Sequence, residues 1–156
     1  AQEEGNARGE SKRIGELTEE EQAQVVALKE RDREVRAHEA AHAAAGAGIA
    51  GRPSFTFEVG PDGQRYAVAG EVSIDTSAVD GDPEATIRKL QQVVRAALAP
   101  AEPSGQDRAV AAQAQAQMNQ ARAEAAAERR EEQQAGANSE TDSGEEISGR
   151  ILSLVA

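Results

Sequence analysis

The chain has no cysteine and no tryptophan, and Phe55, Phe57 and Tyr66 are its whole aromatic complement. Without cysteine there is no disulfide framework and no thiolate metal site. Long apolar runs are missing too. None approaches the roughly 20 residues of a membrane span, and no signal-peptide pattern opens the chain, so by default a cytoplasmic protein is predicted. Basic charge is in the minority, with 17 Lys and Arg against 28 Asp and Glu and a net charge of −11. That balance repels phosphate backbones and anionic lipid, which excludes nucleic acid as the expected ligand. Lys29, Arg31, Arg33 and Arg36 do cluster, but acidic residues interleave them and they read as a solvated helix face.

Hydrophobic residues make up 38% of the chain, yet many are alanine, which buries little area each. The larger aliphatics fall between Ile14 and Leu98 and then nearly vanish until Ile147. A small core made by that stretch is therefore predicted. The expected organisation is a flexible lead-in (1–16), a small zincin-like catalytic domain (17–104), a polar Ala/Gln/Glu-rich helical extension (105–134) and a disordered acidic tail with a short apolar end (135–156). The extension has helical propensity but, with Val110 and Met118 its only sizeable apolar residues, no visible stripe to bury.

Within 17–104 the signals are local. Thr18-x-x-Glu21 is a capping box, followed by helix-forming sequence to about Ala45 and then by Gly46, Gly48, Gly51 and Pro53. Val25, Leu28 and Val35 mark the apolar stripe of that helix, and His38 and His42 fall on or beside it. Phe55, Phe57 and Val59 alternate with polar residues as a half-buried strand, and Gly60-Pro61-Asp62-Gly63 reads as a turn. A second strand is expected to place Tyr66, Val68, Val72 and Ile74 on one face and Glu71, Ser73 and Asp75 on the other. Asp82 and Pro83 open a second helix with Ile87, Leu90, Val94 and Leu98 as its stripe. The fold class predicted is α+β: a long helix, a β-hairpin, a second helix and a long polar C-terminal extension, helical or disordered.

The chain's two histidines bracket a glutamate in His38-Glu39-Ala40-Ala41-His42. On a helix, residues four apart share a face, so both rings can present nitrogens to one cation. Glu39, about 100° round from the first histidine, can reach a water on that ion. Zinc lowers the pKa of such a water, and a glutamate can take its proton and deliver it to a leaving amine. With no further histidine or cysteine, the third ligand must be a carboxylate. Glu71 is the expected ligand, with Asp75 as a second carboxylate orienting a histidine and Glu58 as an outsider. Glu71 and Asp75 lie roughly 13 Å apart on an extended strand, too far to share one ion.

The same segment, together with Gly60-Pro61-Asp62-Gly63, Gly70-Glu71-Val72-Ser73-Ile74-Asp75, Gly81-Asp82-Pro83-Glu84-Ala85-Thr86-Ile87 and Ala99-Pro100-Ala101-Glu102-Pro103-Ser104, resembles the SprA-related family of bacterial proteins over roughly Leu17 to Met118. The resemblance implies a zinc-dependent hydrolase acting on a peptide or protein substrate, with His38 and His42 as ligands and Glu39 as acid/base. Zinc peptidases of the common plan place a sheet before the active-site helix, whereas here the hairpin follows it. The competing expectation is a non-catalytic module whose His/Glu site is structural or degenerate and whose C-terminal extension binds a protein partner.

Overall fold

The computed structural model describes residues 14–152. Residues 1–13 and 153–156 lie outside them, and with these the expectations for the lead-in and for the last residues of the apolar end. The order is a short 3-10 turn, α1 (Glu19–Ala45), β1 (Ser54–Val59), β2 (Arg65–Glu71), α2 (Pro83–Ala97) and α3 (Gly105–Leu152). This is an α+β protein.

The capping box forms as the sequence predicts. The Glu21 amide donates to Thr18 Oγ1 at 3.2 Å, and the Thr18 amide donates to Glu21 Oε2 at 2.9 Å, satisfying two amides that the first helical turn leaves without helical partners. Glu19, Glu20 and Glu21 also place negative charge at the positive end of the helix dipole. The buried side of α1 carries Val25, Leu28 and Val35, then Glu39 and His42. The inward stripe is thus apolar for most of its length and carries a glutamate and a histidine at its C-terminal end.

The hairpin turn is built around Asp62. Gly63 has φ +73°, and the Gly60 amide donates to the Gln64 carbonyl at 2.9 Å. Asp62 Oδ1 accepts from the Gln64 amide, and its Oδ2 accepts from the Tyr66 hydroxyl. Burial pushes the Tyr66 phenol up to about 12, assisted by that hydrogen bond and by the neighbouring negative charge. The raised pKa means that its contribution to stability is complete below pH 10 and is lost as pH rises from about 10 to about 12. Because Tyr66 is the chain's single tyrosine, tyrosinate absorbance reads it alone. Titration near 12, coupled to unfolding, is the expected result; a midpoint near 10 in folded protein would contradict the buried pair.

The second strand departs from strict alternation. Thr56 pairs with Ala69 and Phe57 with Ala67, so Val68 is the extra residue of a bulge. Tyr66 and the neighbouring Ala67 are both buried, on opposite faces of the strand. The outer edge of β2 is covered by α1, since the Ala67 amide donates to Asp32 Oδ1 at 2.8 Å and Arg31 Nε donates to the Val68 carbonyl at 3.1 Å. β2 also ends at Glu71, short of the predicted Ile74. Beyond it the chain turns to a lone bridge between Ala50 and Ile74, with Gly51 donating to the Ser73 carbonyl and Asp75 donating to the Ile49 carbonyl, both at 2.8 Å.

α2 begins as expected, with the Ala85 amide on Asp82 Oδ1 at 2.7 Å and Pro83 at its first turn. Its inner face meets α3, which is where the sequence reading needs correcting. Ala111, Ala114, Met118, Ala121 and Ala125 are buried at intervals of three and four, a helical stripe made almost wholly of alanine. Small side chains let two helix axes approach closely, so the stripe buries helix surface without large residues. α3 then continues to Leu152 through the segment predicted to be disordered, and Ala127 to Ser139 are all exposed along it. Once the packed half has nucleated the helix, each further residue adds one hydrogen bond at low cost.

Two separate apolar cores result. Leu17, Val25, Leu28 and Tyr66, with Val68, lie between α1 and the hairpin. Leu90, Val93, Ala114 and Met118, with Ile49, Ile74, Ile87, Val94 and Val110, lie between α2 and α3.

Candidate metal centre

The C-terminal turns of α1, the end of α2 and the first turn of α3 converge on the two histidines. His42 is 4% exposed, and its Nδ1 lies 2.8 Å from the Ala96 carbonyl oxygen. A carbonyl only accepts, so Nδ1 carries the proton and Nε2 of the neutral ring is left bare, the form in which histidine ligates a metal. His38 Nε2 is 3.1 Å from His42 Nε2. The third member is Asp107, whose Oδ2 is 3.2 Å from His38 Nε2 and whose Oδ1 is 3.3 Å from His42 Nε2. Among the described residues this is the group whose ligand atoms gather closely enough to hold an ion.

The donor set fits zinc. Zinc–nitrogen and zinc–oxygen bonds of about 2.0–2.1 Å at tetrahedral angles put ligand atoms about 3.3–3.4 Å apart. The two ring nitrogens are 3.1 Å apart and each meets a different oxygen of Asp107, at 3.2 and 3.3 Å, so each contact is close to that while both carboxylate oxygens are engaged. Two neutral imidazoles and one carboxylate make three protein donors, the number that leaves a fourth position open.

Asp107 is held by its own helix end. The Asp107 amide donates to Ser104 Oγ at 3.1 Å, and the Ser104 amide donates to Asp107 Oδ2 at 2.6 Å. Burial alone would raise the carboxyl's pKa, but the hydrogen bonds from Ser104 and the attraction of His42 and His38 outweigh it and hold the group below its ordinary value. It is therefore a carboxylate at neutral pH.

Glu39 is 5% exposed, and no hydrogen bond or ion pair joins its carboxylate to a described residue; no buried side-chain oxygen among the described residues lacks a partner, so the Glu39 oxygens touch solvent. Its side chain lies against Gly70 of β2. A Cβ at Gly70 would stand 2.6 Å from Glu39 Cγ, 3.0 Å from its Oε1 and 3.0 Å from Phe55 Cδ1. Glycine is needed here for space, not for its backbone freedom. Gly70→Ala is expected to lower the melting temperature, and adding Glu39→Ala to it is expected to restore most of the loss. Thermal denaturation of the four-member cycle checks this, and simple additivity of the two changes would rule out the clash. On the far side of Phe55, the Arg36 guanidinium stacks over Phe55 at 5.1 Å and over Phe57 at 5.9 Å.

The expected third ligand is not at this centre. Glu71 is the exposed last residue of β2, within 3.5 Å of Ser54 Oγ. Asp75 is engaged by Lys89 Nζ at 2.8 Å and by Ser77, and these hydrogen bonds hold its carboxyl far below the usual range. Glu58 is exposed on β1. The structure instead brings Asp107 to the histidines, from a segment that the sequence reading placed outside the catalytic domain. A signal was present in Ser104-x-x-Asp107 after Pro103, a helix start, but nothing local says which way that start points.

The sequence profile of the SprA-related family matches residues 1–149. The chain belongs to the SprA-related family. The match takes in every residue of the cluster and nearly the whole of α3, so in this SprA-related protein Asp107 lies within the family's span. No curated protein and no solved structure matches the chain. The family description names no activity, and the reading of the centre rests on its geometry.

Proposed function

We propose that this SprA-related protein is a zinc-dependent hydrolase of peptide bonds, with His38, His42 and Asp107 holding the ion and Glu39 as general base and acid. The observation that carries the reading is the convergence of His38 Nε2, His42 Nε2 and the two oxygens of Asp107 at 3.1–3.3 Å, beside Glu39, a residue only 5% exposed. A zinc ion bound there would lower the pKa of its water ligand towards neutrality. The Ala96 carbonyl fixes the ring of His42 and its tautomer, and Ser104 fixes the carboxylate of Asp107. Glu39, its oxygens uncommitted, is free to accept a proton and return it to a leaving amine. Gly70 packs against it and leaves no room for a larger residue there. The acidic balance of the chain, −11, continues to disfavour nucleic acid, and among the described residues no helix is long and apolar enough to cross a membrane.

The test is metal content of purified protein by mass spectrometry, after chelation and resupply of zinc, for wild type, His38→Ala, Asp107→Ala and Glu71→Ala. The expected result is about one zinc per chain in wild type and Glu71→Ala and none in the other two. Zinc lost from Glu71→Ala but kept by Asp107→Ala would move the third ligand to β2, and no zinc in wild type would end the proposal.

A second reading has its own observation. The distances that suit zinc are also hydrogen-bond distances, His38 Nε2 to Asp107 Oδ2 being 3.2 Å. A metal-free His–His–Asp cluster would tie three helices together in a non-catalytic module, with the exposed part of α3 free for a protein partner. That module binds no zinc and loses stability in Asp107→Ala.

A further inference from the structure

The cluster stands at the seam between the two apolar cores. One core joins α1 to the hairpin and the other joins α2 to α3, and they share no buried residue. α1 and α3 do not pack along one another; their side chains meet where His38 and His42 face Asp107. The seam is also held by Ile49 and Ile74, which pack on the second core from the ends of the first half, and by Asp75, which pairs with Lys89 Nζ at 2.8 Å. Gln92 Nε2 donates to the Ala47 carbonyl at 2.8 Å, His42 Nδ1 donates to the Ala96 carbonyl, and Gly46 lies close to the methyl group of Ala96. Two ligands thus belong to one half and the third to the other. Asp107 Oδ2 moreover serves two roles at once, accepting from the Ser104 amide and facing His38.

We infer that Asp107, positioned by Ser104, makes ion binding and the docking of the two halves one coupled event. The inference rests on the metal reading of the centre but not on Glu39 or on turnover. Either half alone offers an incomplete donor set, so the ion binds tightly only when the halves are docked. By linkage, the bound ion favours the docked state to the same degree. Ser104 is a positioning residue: its amide holds the Asp107 carboxylate, and its hydroxyl, accepting from the Asp107 amide, anchors the first turn of α3 that aims that carboxylate.

Hydrogen exchange followed by mass spectrometry on the full chain, with and without zinc, reads the coupling directly. Without zinc, α1 with the hairpin and α2 with α3 are expected to open at separate rates. With free zinc at about 100 times its Kd, any opening that breaks the centre becomes about 100-fold rarer, so slow exchange should spread through both cores. Zinc affinity by competition with a chelator is expected to fall by about 10-fold in Ser104→Ala, which loses the hydroxyl anchor of the turn and keeps the amide on Asp107 Oδ2, with most of it recovered in Ser104→Thr. Protection confined to residues around 38–42 and 104–107, or two halves already exchanging as one unit without zinc, would overturn the coupling and leave the metal reading standing. Undiminished zinc affinity in Ser104→Ala would remove Ser104 from it. No zinc binding in wild type would overturn both.

Discussion

Glu39→Gln is expected to leave about one zinc bound per chain and to lower peptide hydrolysis by about 100- to 10,000-fold, the usual contribution of a positioned acid/base. Glutamine matches glutamate in size, so the packing against Gly70 is kept while the proton acceptor is lost. The change separates roles that other variants confuse. His38→Ala and Asp107→Ala are expected to remove the proposed ion and with it everything the ion would support, whereas Glu39→Gln alters only a carboxylate that makes no hydrogen bond to a described residue. Zinc content and turnover on a peptide library, measured on the same preparation, give the answer. Zinc retained with turnover lost supports Glu39 as the proton carrier. Unchanged turnover on a substrate that His38→Ala cannot cleave would exclude Glu39, and the general base would have to be sought elsewhere.

The largest loss of stability is expected at Leu90. It is fully buried between α2 and α3 and shares its core with only three other buried residues, Val93, Ala114 and Met118. Leu90→Ala removes apolar contact and leaves a cavity that alanine neighbours on α3 cannot fill, at a cost of about 2–5 kcal/mol. In a small domain that is a large part of the whole. Leu98, two turns further along the same apolar stripe but 43% exposed, is the internal control, and Leu98→Ala is expected to cost less than about 1 kcal/mol. Denaturant unfolding of both variants measures the difference. Equal losses would mean that the α2–α3 core is not where α2 is anchored. The Leu90 change should also weaken zinc binding, because α3 carries Asp107.

What could be read along the chain was what depends on neighbours in sequence. Thr18 and Glu21 cap α1, Gly63 turns the hairpin, and Asp82 with Pro83 starts α2, each through bonds that span a few residues. The same locality made the His38-Glu39-x-x-His42 segment legible, since a helix alone brings two histidines four apart onto one face. Where the reading failed, the deciding partner was distant. The bulge at Val68 answers to Arg31 and Asp32 on α1, and β2 stops at Glu71 because the chain beyond it pairs with residues after α1. Alternation alone has no access to either. The α3 stripe was overlooked for a different reason: alanine carries little transfer free energy, so Ala111, Ala114, Ala121 and Ala125 register as helix formers and not as a core.

By itself, then, the sequence determined the α+β class, the ends of the first two helices, the hairpin turn and a pair of histidines with a glutamate between them. It also required that any third protein ligand be a carboxylate, because no other histidine and no cysteine exists. Only the tertiary structure brings one carboxylate to the histidines, and it is that of Asp107. Asp107 reaches the histidines because α2 and α3 pack through an alanine stripe that turns the first turn of α3 towards α1, while Glu71 ends its strand in solvent and Asp75 is held by Lys89. A ligand at the start of one helix is aimed by the packing of that whole helix, and such packing is the sum of many weak contacts that no spacing along the chain records.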